Sequence, residues 1–189
     1  MAAAAPTAGL GAGSKRPRMI VFDLDACVWT PEMYELWGGG APFIYDESTN
    51  TCTDSRGVRV RLLGAIPQIF DDIKSWGGEI AIASRTDEPS WAREILNKFR
   101  TSTGETLMSC VTPNLDEMYK SSKTNHLSAI RQKSGCAFDD MIFFDDDPHN
   151  ISDVSSIGVL SILTPNGVTR DVFEEGLRQF ATRRGKLSE

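Results

Sequence analysis

"MIVFDLDACVW", residues 19–29, is the stretch that decides the fold, because an apolar run ends there in two carboxylates. The apolar residues 19–22 predict a buried β-strand. Asp23 and Asp25 follow at once, with a single leucine between them. Two negative charges at the end of a buried strand repel each other unless a cation lies near them. The stretch therefore predicts a strand that ends at a charged functional site.

The rest of the chain alternates predicted strands with predicted helices. Apolar runs predict strands at 79–84, 107–111, 141–144 and 159–164. Apolar residues at helical spacing predict helices at 65–76, 88–99, 123–135, 150–158 and 169–183. Residues 43–62 alternate at their ends and carry turn residues inside, which predicts a small β-hairpin flap. This order is typical of an α/β fold, a doubly wound three-layer sandwich with a mainly parallel central sheet.

Composition limits the classes of partner and the compartment. The net charge of −6 argues against nucleic acid or an anionic membrane as the main partner. No apolar run reaches the length of a membrane span. The four cysteines are scattered without a CxxC pair, which favours reduced thiols over a zinc site or a disulfide framework. We therefore expect a cytoplasmic protein, and we expect it to be a monomer.

The length of 189 residues suits one domain with two short tails. Residues 1–17 are rich in Ala and Gly and have no long apolar segment, so they predict a disordered tail rather than a secretory signal. We place the domain at 18–183 and a C-terminal tail at 184–189.

Polar residues follow several of the predicted strands. Ser84 and Arg85 come at the end of the strand at 79–84, and an acidic run, residues 145–147, follows the strand at 141–144. Lys123 opens a helix after another strand. Ligands of open α/β sheets bind beyond the carboxyl ends of the strands. We therefore expect these side chains to gather with Asp23 and Asp25 at one edge of the sheet.

Oxygen ligands without clustered His or Cys suit a hard cation, with Mg²⁺ first. Mg²⁺ leaves coordination positions for water and for a phosphate oxygen. A serine hydroxyl and a lysine ammonium can bind the remaining phosphate oxygens. A carboxylate beside that phosphate can act as a nucleophile, and a second acid two residues on can protonate the leaving alcohol.

Four segments carry a resemblance to a known family: "FDLDACVW", "IAIASRT", "SSKTNHL" and "MIFFDDDPHN". In this order they resemble the four motifs of the haloacid dehalogenase superfamily. More closely, the chain resembles the magnesium-dependent phosphatase family within it, whose members lack a cap domain. The resemblance covers residues 18–183 and implies a phosphoric monoester hydrolase.

The resemblance also implies a role for each motif residue. Asp23 matches the nucleophile and a metal ligand, whereas Asp25 matches the general acid and base and offers a backbone carbonyl to the metal. Ser84 and Arg85 match the phosphate- or substrate-binding pair, and Lys123 matches the lysine that stabilises the phosphoryl group. In the acidic run Asp146 matches the metal ligand, with Asp145 as the alternative.

Cys27 departs from the superfamily pattern, which often has Thr or Val there. We interpret it as a small buried side chain.

Three other functions stay open at this point. A receiver domain uses a similar set of residues as a phospho-accepting signalling module, although its phosphoacceptor would end a middle strand, where this chain has Ser84. A haloacid dehalogenase proper has no need for the second acid, Asp25. A phosphate-binding pseudoenzyme would retain the fold without turnover.

The spacing of the motifs predicts an open site. Asp25 and Ser84 are 59 positions apart, and Ser84 and Lys123 are 39 apart. The predicted hairpin, helices and strand use most of both gaps, so neither gap has room for a cap domain of about 50 residues. An open site admits a phosphotyrosine on a protein surface, and also sugar phosphates, including sugar-amine phosphates.

Overall fold

A computed structural model describes residues 15–186, and the chain folds in the predicted alternation of strands and helices. In chain order these are β1 (Met19–Phe22), β2 (Trp29–Thr30), β3 (Ile44–Asp46), β4 (Thr51–Thr53), β5 (Arg59–Leu62), α1 (Ile66–Ser75), β6 (Glu79–Ser84), α2 (Pro89–Leu96), α3 (Leu107–Cys110), β7 (Asp116–Met118), α4 (Lys123–Ser134), β8 (Met141–Asp145), α5 (Pro148–Ser156), β9 (Leu160–Leu163) and α6 (Arg170–Lys186). Short 3-10 helices lie at Met33–Leu36 and Phe138–Asp140.

The central sheet has five parallel strands in the order β7-β6-β1-β8-β9. β1 lies in the middle, and Phe22 pairs with Ile82 on one side and with Phe144 on the other. All five strands therefore end at the same edge of the sheet, and β1 brings its following aspartates to the centre of that edge.

Alternate residues of β1 pack on opposite faces of the sheet, as the pleat requires. Ile20 and Phe22 face one apolar cluster, to which α1, α2 and α6 contribute, whereas Met19 and Val21 face a second cluster, to which α4 and α5 contribute. The sheet is therefore covered by helices on both faces, which confirms the predicted three-layer sandwich.

The predicted flap is larger than one hairpin. β3, β4 and β5 form an antiparallel meander within residues 43–62, and β2 adds a fourth strand, in the order β2-β5-β4-β3. Cys52 and Val60 are buried on its inner face and join the apolar cluster of the sandwich. Within residues 15–186, the gap between Asp25 and Ser84 holds this sheet, the 3-10 helix Met33–Leu36, α1 and β6. The gap between Ser84 and Lys123 holds α2, α3 and β7, so no separate cap domain is formed in either gap.

One predicted strand is wrong. Residues 107–110 form the helix α3, whose N-cap Thr106 accepts a hydrogen bond from Ser109 N at 3.0 Å. The strand beside β6 is instead β7, six residues beyond that helix. A short apolar run does not distinguish a strand from a buried helical turn. The sequence pattern does not predict β7, because Asp116 and Glu117 are charged. Asp116 pairs with Arg93, and Glu117 pairs with Lys133.

The ends of the chain fall partly outside the described residues. The predicted tail at 1–17 lies outside them as far as residue 14, and Arg16 places its guanidinium 4.6 Å from the centre of the Trp76 ring. α6 continues to residue 186, past the predicted domain limit. Among residues 15–186, none of the helices combines the length and the apolar character needed to cross a membrane.

Candidate active site

Asp23 lies one residue beyond β1, and its backbone N donates to Phe144 O of β8 at 2.9 Å. This bond continues the β1–β8 pairing and brings Asp23 beside Asp145, the last residue of β8. Ser84 ends β6 on the other side. The residues at the ends of three neighbouring strands therefore meet at one edge of the sheet, as the sequence predicts.

Lys123 is the cation of this edge. Its side chain is 2% exposed, and its ammonium contacts the Asp23 carboxylate, donates to Ala83 O at 2.6 Å and lies 3.0 Å from Asp145 Oδ2. A lysine ammonium has three donors, and these three acceptors satisfy all of them. Lys120, three residues before Lys123, is instead exposed and pairs with Asp87 at 2.9 Å.

Asp25 lies beyond the end of β1, and its carboxyl group contacts neutral hydrogen-bond donors. Its Oδ1 accepts from the indole Nε1 of Trp29 at 2.7 Å and from the backbone N of Met33 at 3.1 Å. A tight turn makes this possible, because the N–H groups of Val28 and Trp29 both point to Leu24 O. The carboxyl group of Asp25 is thereby fixed in the cleft without a cation of its own.

Asp145 and Asp146 are neighbours with different environments. Asp145 is fully buried, and its carboxylate accepts from Asp147 N at 2.8 Å and from the Asn150 amide at 3.0 and 3.2 Å. Asp146 is partly exposed and lines the cleft. Ligand atoms of Asp23, Asp145 and Asp146 lie within 4.8 Å of one another, which is close enough for one metal ion.

These side chains surround a cleft of about 350 Å³. The cleft brings together the predicted Asp23, Asp25, Ser84, Arg85, Lys123 and Asp146, whereas Asp145 lies behind it. Six further residues line it that the sequence did not single out as site residues: Glu32, Tyr34, Thr86, Asp87, Asp147 and Asn150. Of these residues, Asn150 could have been predicted from the sequence, because it lies one helical turn after the acidic run.

The comparisons with known proteins agree with this arrangement. The sequence profile of the acid phosphatase family matches residues 15–183, nearly the whole described chain. The chain belongs to the acid phosphatase family. Human magnesium-dependent phosphatase 1 is 35% identical to this chain over 170 residues, which make up 89% of each chain.

Two further proteins extend the comparison. A HAD-like hydrolase superfamily protein of Schizosaccharomyces pombe is 27% identical over 148 residues, which cover 76% of this acid phosphatase and 83% of the yeast protein. The crystal structure of CbbY from Rhodobacter sphaeroides, in complex with phosphate, has a TM-score of 0.57 at 12% identity and covers 82% of this chain and 88% of its own. The predicted resemblance and the predicted class of enzyme are confirmed.

The carboxyl groups of Asp23 and Asp25 hold protons more tightly than exposed ones do. Burial raises the pKa of Asp23 to about 7 against the lowering effect of the Lys123 ammonium. Burial also raises the pKa of Asp25, although the hydrogen bonds from Trp29 and Met33 oppose the rise. For Asp25, which contacts no cation, the raised pKa favours proton transfer, whereas the Lys123 ammonium favours the charged form of Asp23.

Both Lys123 and Cys27 are buried, but the lysine stays charged and the cysteine stays neutral. Burial alone would lower the pKa of Lys123, but the charges of Asp23 and Asp145 together raise it, so the ammonium form persists. Cys27 is fully buried, lies 3.4 Å from Thr164 Oγ1, and has a pKa raised well above its ordinary value by burial. It is a small packed side chain, as interpreted from the sequence, and it is held as an unreactive thiol.

Proposed function

We propose that this chain is a magnesium-dependent phosphomonoesterase that works through a phosphoaspartate formed on Asp23. One observation carries the proposal: a buried carboxylate at the end of the central strand shares a cleft with a second carboxyl group two residues on. Asp23 contacts a cation, whereas Asp25 contacts only neutral donors. The two acids therefore suit two different roles, nucleophilic attack by Asp23 and proton transfer by Asp25.

In the first step a carboxylate oxygen of Asp23 attacks phosphorus and the bond from phosphorus to the ester oxygen breaks. Asp25 donates a proton to that oxygen, and the alcohol leaves. In the second step water attacks the phosphorus of the phosphoaspartate while Asp25 takes a proton from the water. The bond from phosphorus to Asp23 breaks, which releases phosphate and restores both acids.

Three residues that line the cleft are suited to bind the phosphate. Arg85 and Lys123 supply positive charge, and Ser84, at the end of β6, supplies a hydroxyl that also accepts from Thr86 N at 3.2 Å. Charged donors bind phosphate oxygens more strongly than neutral donors do. Lys123 then stabilises the phosphoryl group while it remains beside Asp23.

Mg²⁺ fits the donor set, which is made of carboxylate oxygens alone. We assign Asp23 and Asp146 as its carboxylate ligands, with the backbone carbonyl of Asp25. Asp145 positions the site instead, because its oxygens already accept from Asp147 N and Asn150 and contact Lys123. When bound, the ion offsets the negative charge of these carboxylates and of the phosphate.

The substrates we propose are protein phosphotyrosine and sugar phosphates, including sugar-amine phosphates. An open cleft supports this range, because it makes few contacts beyond the phosphate. We further propose that the enzyme acts as a monomer in the cytoplasm, without nucleic acid or membrane partners. The four buried cysteines, all free thiols, support a reducing compartment.

The mechanism is tested with two conservative variants and a radiolabelled aryl phosphate. Asp23→Asn removes the attacking oxygen, so both turnover and protein labelling are expected to disappear. Asp25→Asn keeps the nucleophile, so label is expected on Asp23 while turnover falls by a factor on the order of 10² or more. Near-normal turnover by Asp23→Asn would refute the mechanism. Label on the wild-type protein without turnover would instead identify a phospho-accepting module or pseudoenzyme.

The metal assignment is tested by titrating Mg²⁺ into the EDTA-treated enzyme. Activity is expected to disappear with EDTA and to return with Mg²⁺. Asp146→Asn should raise the Mg²⁺ concentration needed for half-maximal activity by at least about tenfold, because it removes a direct ligand. Asp147→Asn is the control, since Asp147 caps α5 through His149 N and is not assigned to the metal. Full activity after EDTA treatment, or equal effects of the two variants, would contradict the assignment.

A further inference from the structure

The position of Asp25 determines where the leaving group of a substrate lies, and this inference rests on the proposed function. A general acid must come within hydrogen-bond distance of the oxygen that it protonates. The ester oxygen is therefore next to Asp25, and the group attached to it extends along that side of the cleft. A second, neighbouring cleft beyond Arg85, lined by Lys120, Ser121 and Ser122, does not include Asp25.

The segment beside Asp25 is the short 3-10 helix Met33–Leu36. Met33 N donates to Asp25 Oδ1 at 3.1 Å, which ties the start of this helix to the acid. Glu32 N donates to Glu35 Oε2 at 2.8 Å, and Glu35 N donates to Glu32 O at 3.0 Å. Residues 32–35 are therefore held at a fixed distance from the proton donor.

Tyr34 carries a large aromatic ring on this segment. The residue is 63% exposed and lines the cleft, and its hydroxyl makes no hydrogen bond within residues 15–186. The ring therefore stands beside the acid without a packing role of its own. An aromatic ring in this place offers an apolar face to a group that enters next to Asp25.

Glu32 gives the same side of the cleft a negative charge. It lines the cleft, is partly buried, and lies in the field of Asp25 and Asp146. The cations that line the cleft, Arg85 and Lys123, are assigned to the phosphate. A leaving group with its own negative charge would face Glu32 without a compensating cation.

We propose that Glu32 and Tyr34 select the leaving group of the substrate. The Tyr34 ring packs against aromatic leaving groups and favours them over aliphatic ones. The Glu32 carboxylate repels anionic leaving groups and favours neutral or cationic ones. The phosphate-binding residues do not distinguish between leaving groups. Residues 32–34 thus provide the discrimination between them.

The aromatic part is tested with phenyl phosphate and glycerol 2-phosphate. Tyr34→Ala is expected to lower kcat/KM for phenyl phosphate by about two- to tenfold relative to glycerol 2-phosphate, the range expected for one aromatic contact. Tyr34→Phe should keep the wild-type ratio, because the ring and not the hydroxyl makes the contact. Trp37→Ala is the control, since Trp37 is 87% exposed but does not line the cleft. An unchanged ratio in Tyr34→Ala would overturn this part.

The electrostatic part is tested with two aryl phosphates of nearly equal shape, 4-carboxyphenyl and 4-carbamoylphenyl phosphate. Glu32→Gln is expected to raise kcat/KM for the carboxylate relative to the amide by about two- to fivefold at low ionic strength. The gain should shrink in about 0.5 M NaCl, since salt screens the repulsion. Glu47→Gln, an exposed residue of the flap, is the control and should leave the ratio unchanged. A Glu32→Gln ratio equal to that of the wild type would overturn this part.

The same substrates separate this inference from the proposed function. If Asp23→Asn still hydrolyses all four compounds, the proposed function fails. If hydrolysis depends on Asp23 but Tyr34→Ala and Glu32→Gln change every substrate equally, only the selection by residues 32–34 fails.

Discussion

Two aspartates with one leucine between them differ in chemistry because of the atoms that each carboxylate contacts. Burial raises the pKa of Asp23 to about 7, whereas contact with the ammonium of Lys123 opposes this rise and favours the charged form. Asp25 contacts the indole of Trp29 and a backbone N–H, and the burial of Asp25 raises its pKa. The same residue type is therefore suited to attack in one position and to proton transfer in the other.

The hydrogen bond from Trp29 tunes the acid, and Trp29→Phe removes it. Because this bond lowers the pKa of Asp25, its loss should raise that pKa. The alkaline limb of the kcat profile, where the acid loses its proton, is then expected to move to higher pH. The measurement is kcat against pH at saturating Mg²⁺. Trp91→Phe, outside the cleft, is the control, and a limb that stays in place or moves to lower pH would contradict the prediction.

At the scale of single elements, the start of α4 places the cation of the site. Ser122 is the N-cap of α4, and its Oγ accepts from Asn125 N at 3.2 Å, while Gly135 ends the helix with φ of 67°. Lys123 is the first residue of this helix and extends from there to the end of β1. A helix begins well when a side-chain oxygen satisfies one of its free N–H groups. The N-cap and Lys123 are thus adjacent in sequence, and the cap fixes the start of the helix that carries the lysine.

Ser122→Ala should destabilise the protein by about 1 kcal/mol, because one N–H at the start of α4 loses its partner. Ser128→Ala is the matched control in the same helix. Ser128 Oγ donates to Thr124 O at 2.7 Å, a bond in the helix interior, where alanine is the better helix former. The control should change the free energy of unfolding by less than about 0.5 kcal/mol. Urea denaturation measures both variants, and equal losses would show that the cap contributes nothing specific.

At the scale of the whole molecule, the site is open because the insertions between the motifs build a flap and not a lid. The antiparallel sheet of β2 to β5 packs into the core through Cys52 and Val60. Its loop at residues 37–40 is tied down as well, since Gly40 N donates to Asp54 Oδ2 at 3.1 Å. A Cβ on Gly40 would lie 2.2 Å from the Trp91 ring, so only glycine allows this approach.

An open site predicts broad specificity. Across a panel of aryl, sugar and peptide phosphate monoesters, kcat/KM is expected to vary by less than four decades, since larger factors require dedicated polar contacts to the leaving group. The panel is assayed at fixed Mg²⁺ and pH, with Asp23→Asn as the blank for each compound. One small metabolite preferred by four or more decades would show that the cleft recognises that compound.

The sequence by itself determined the class of fold and half of the residues that line the cleft. Strand periodicity is a local property, and the residue after a strand lies at the sheet edge whatever the rest of the chain does. Asp23, Ser84 and Asp146 were therefore predictable, and Lys123 was predictable from the helix that it opens. The strand β7 was not, because ion pairs with distant residues stabilise its two acids and no apolar pattern marks it.

Only the tertiary structure decided which groups the catalytic acids contact. Asp25 is fixed by Trp29 and Met33, four and eight residues away, through a turn that has no regular period. Glu32 and Tyr34 reach the cleft on the segment that this contact holds in place. Asp145 lies behind the site because Asn150 and Lys123 reach its oxygens from two different helices. Such contacts depend on packing between separate elements, and packing has no local signature in the chain.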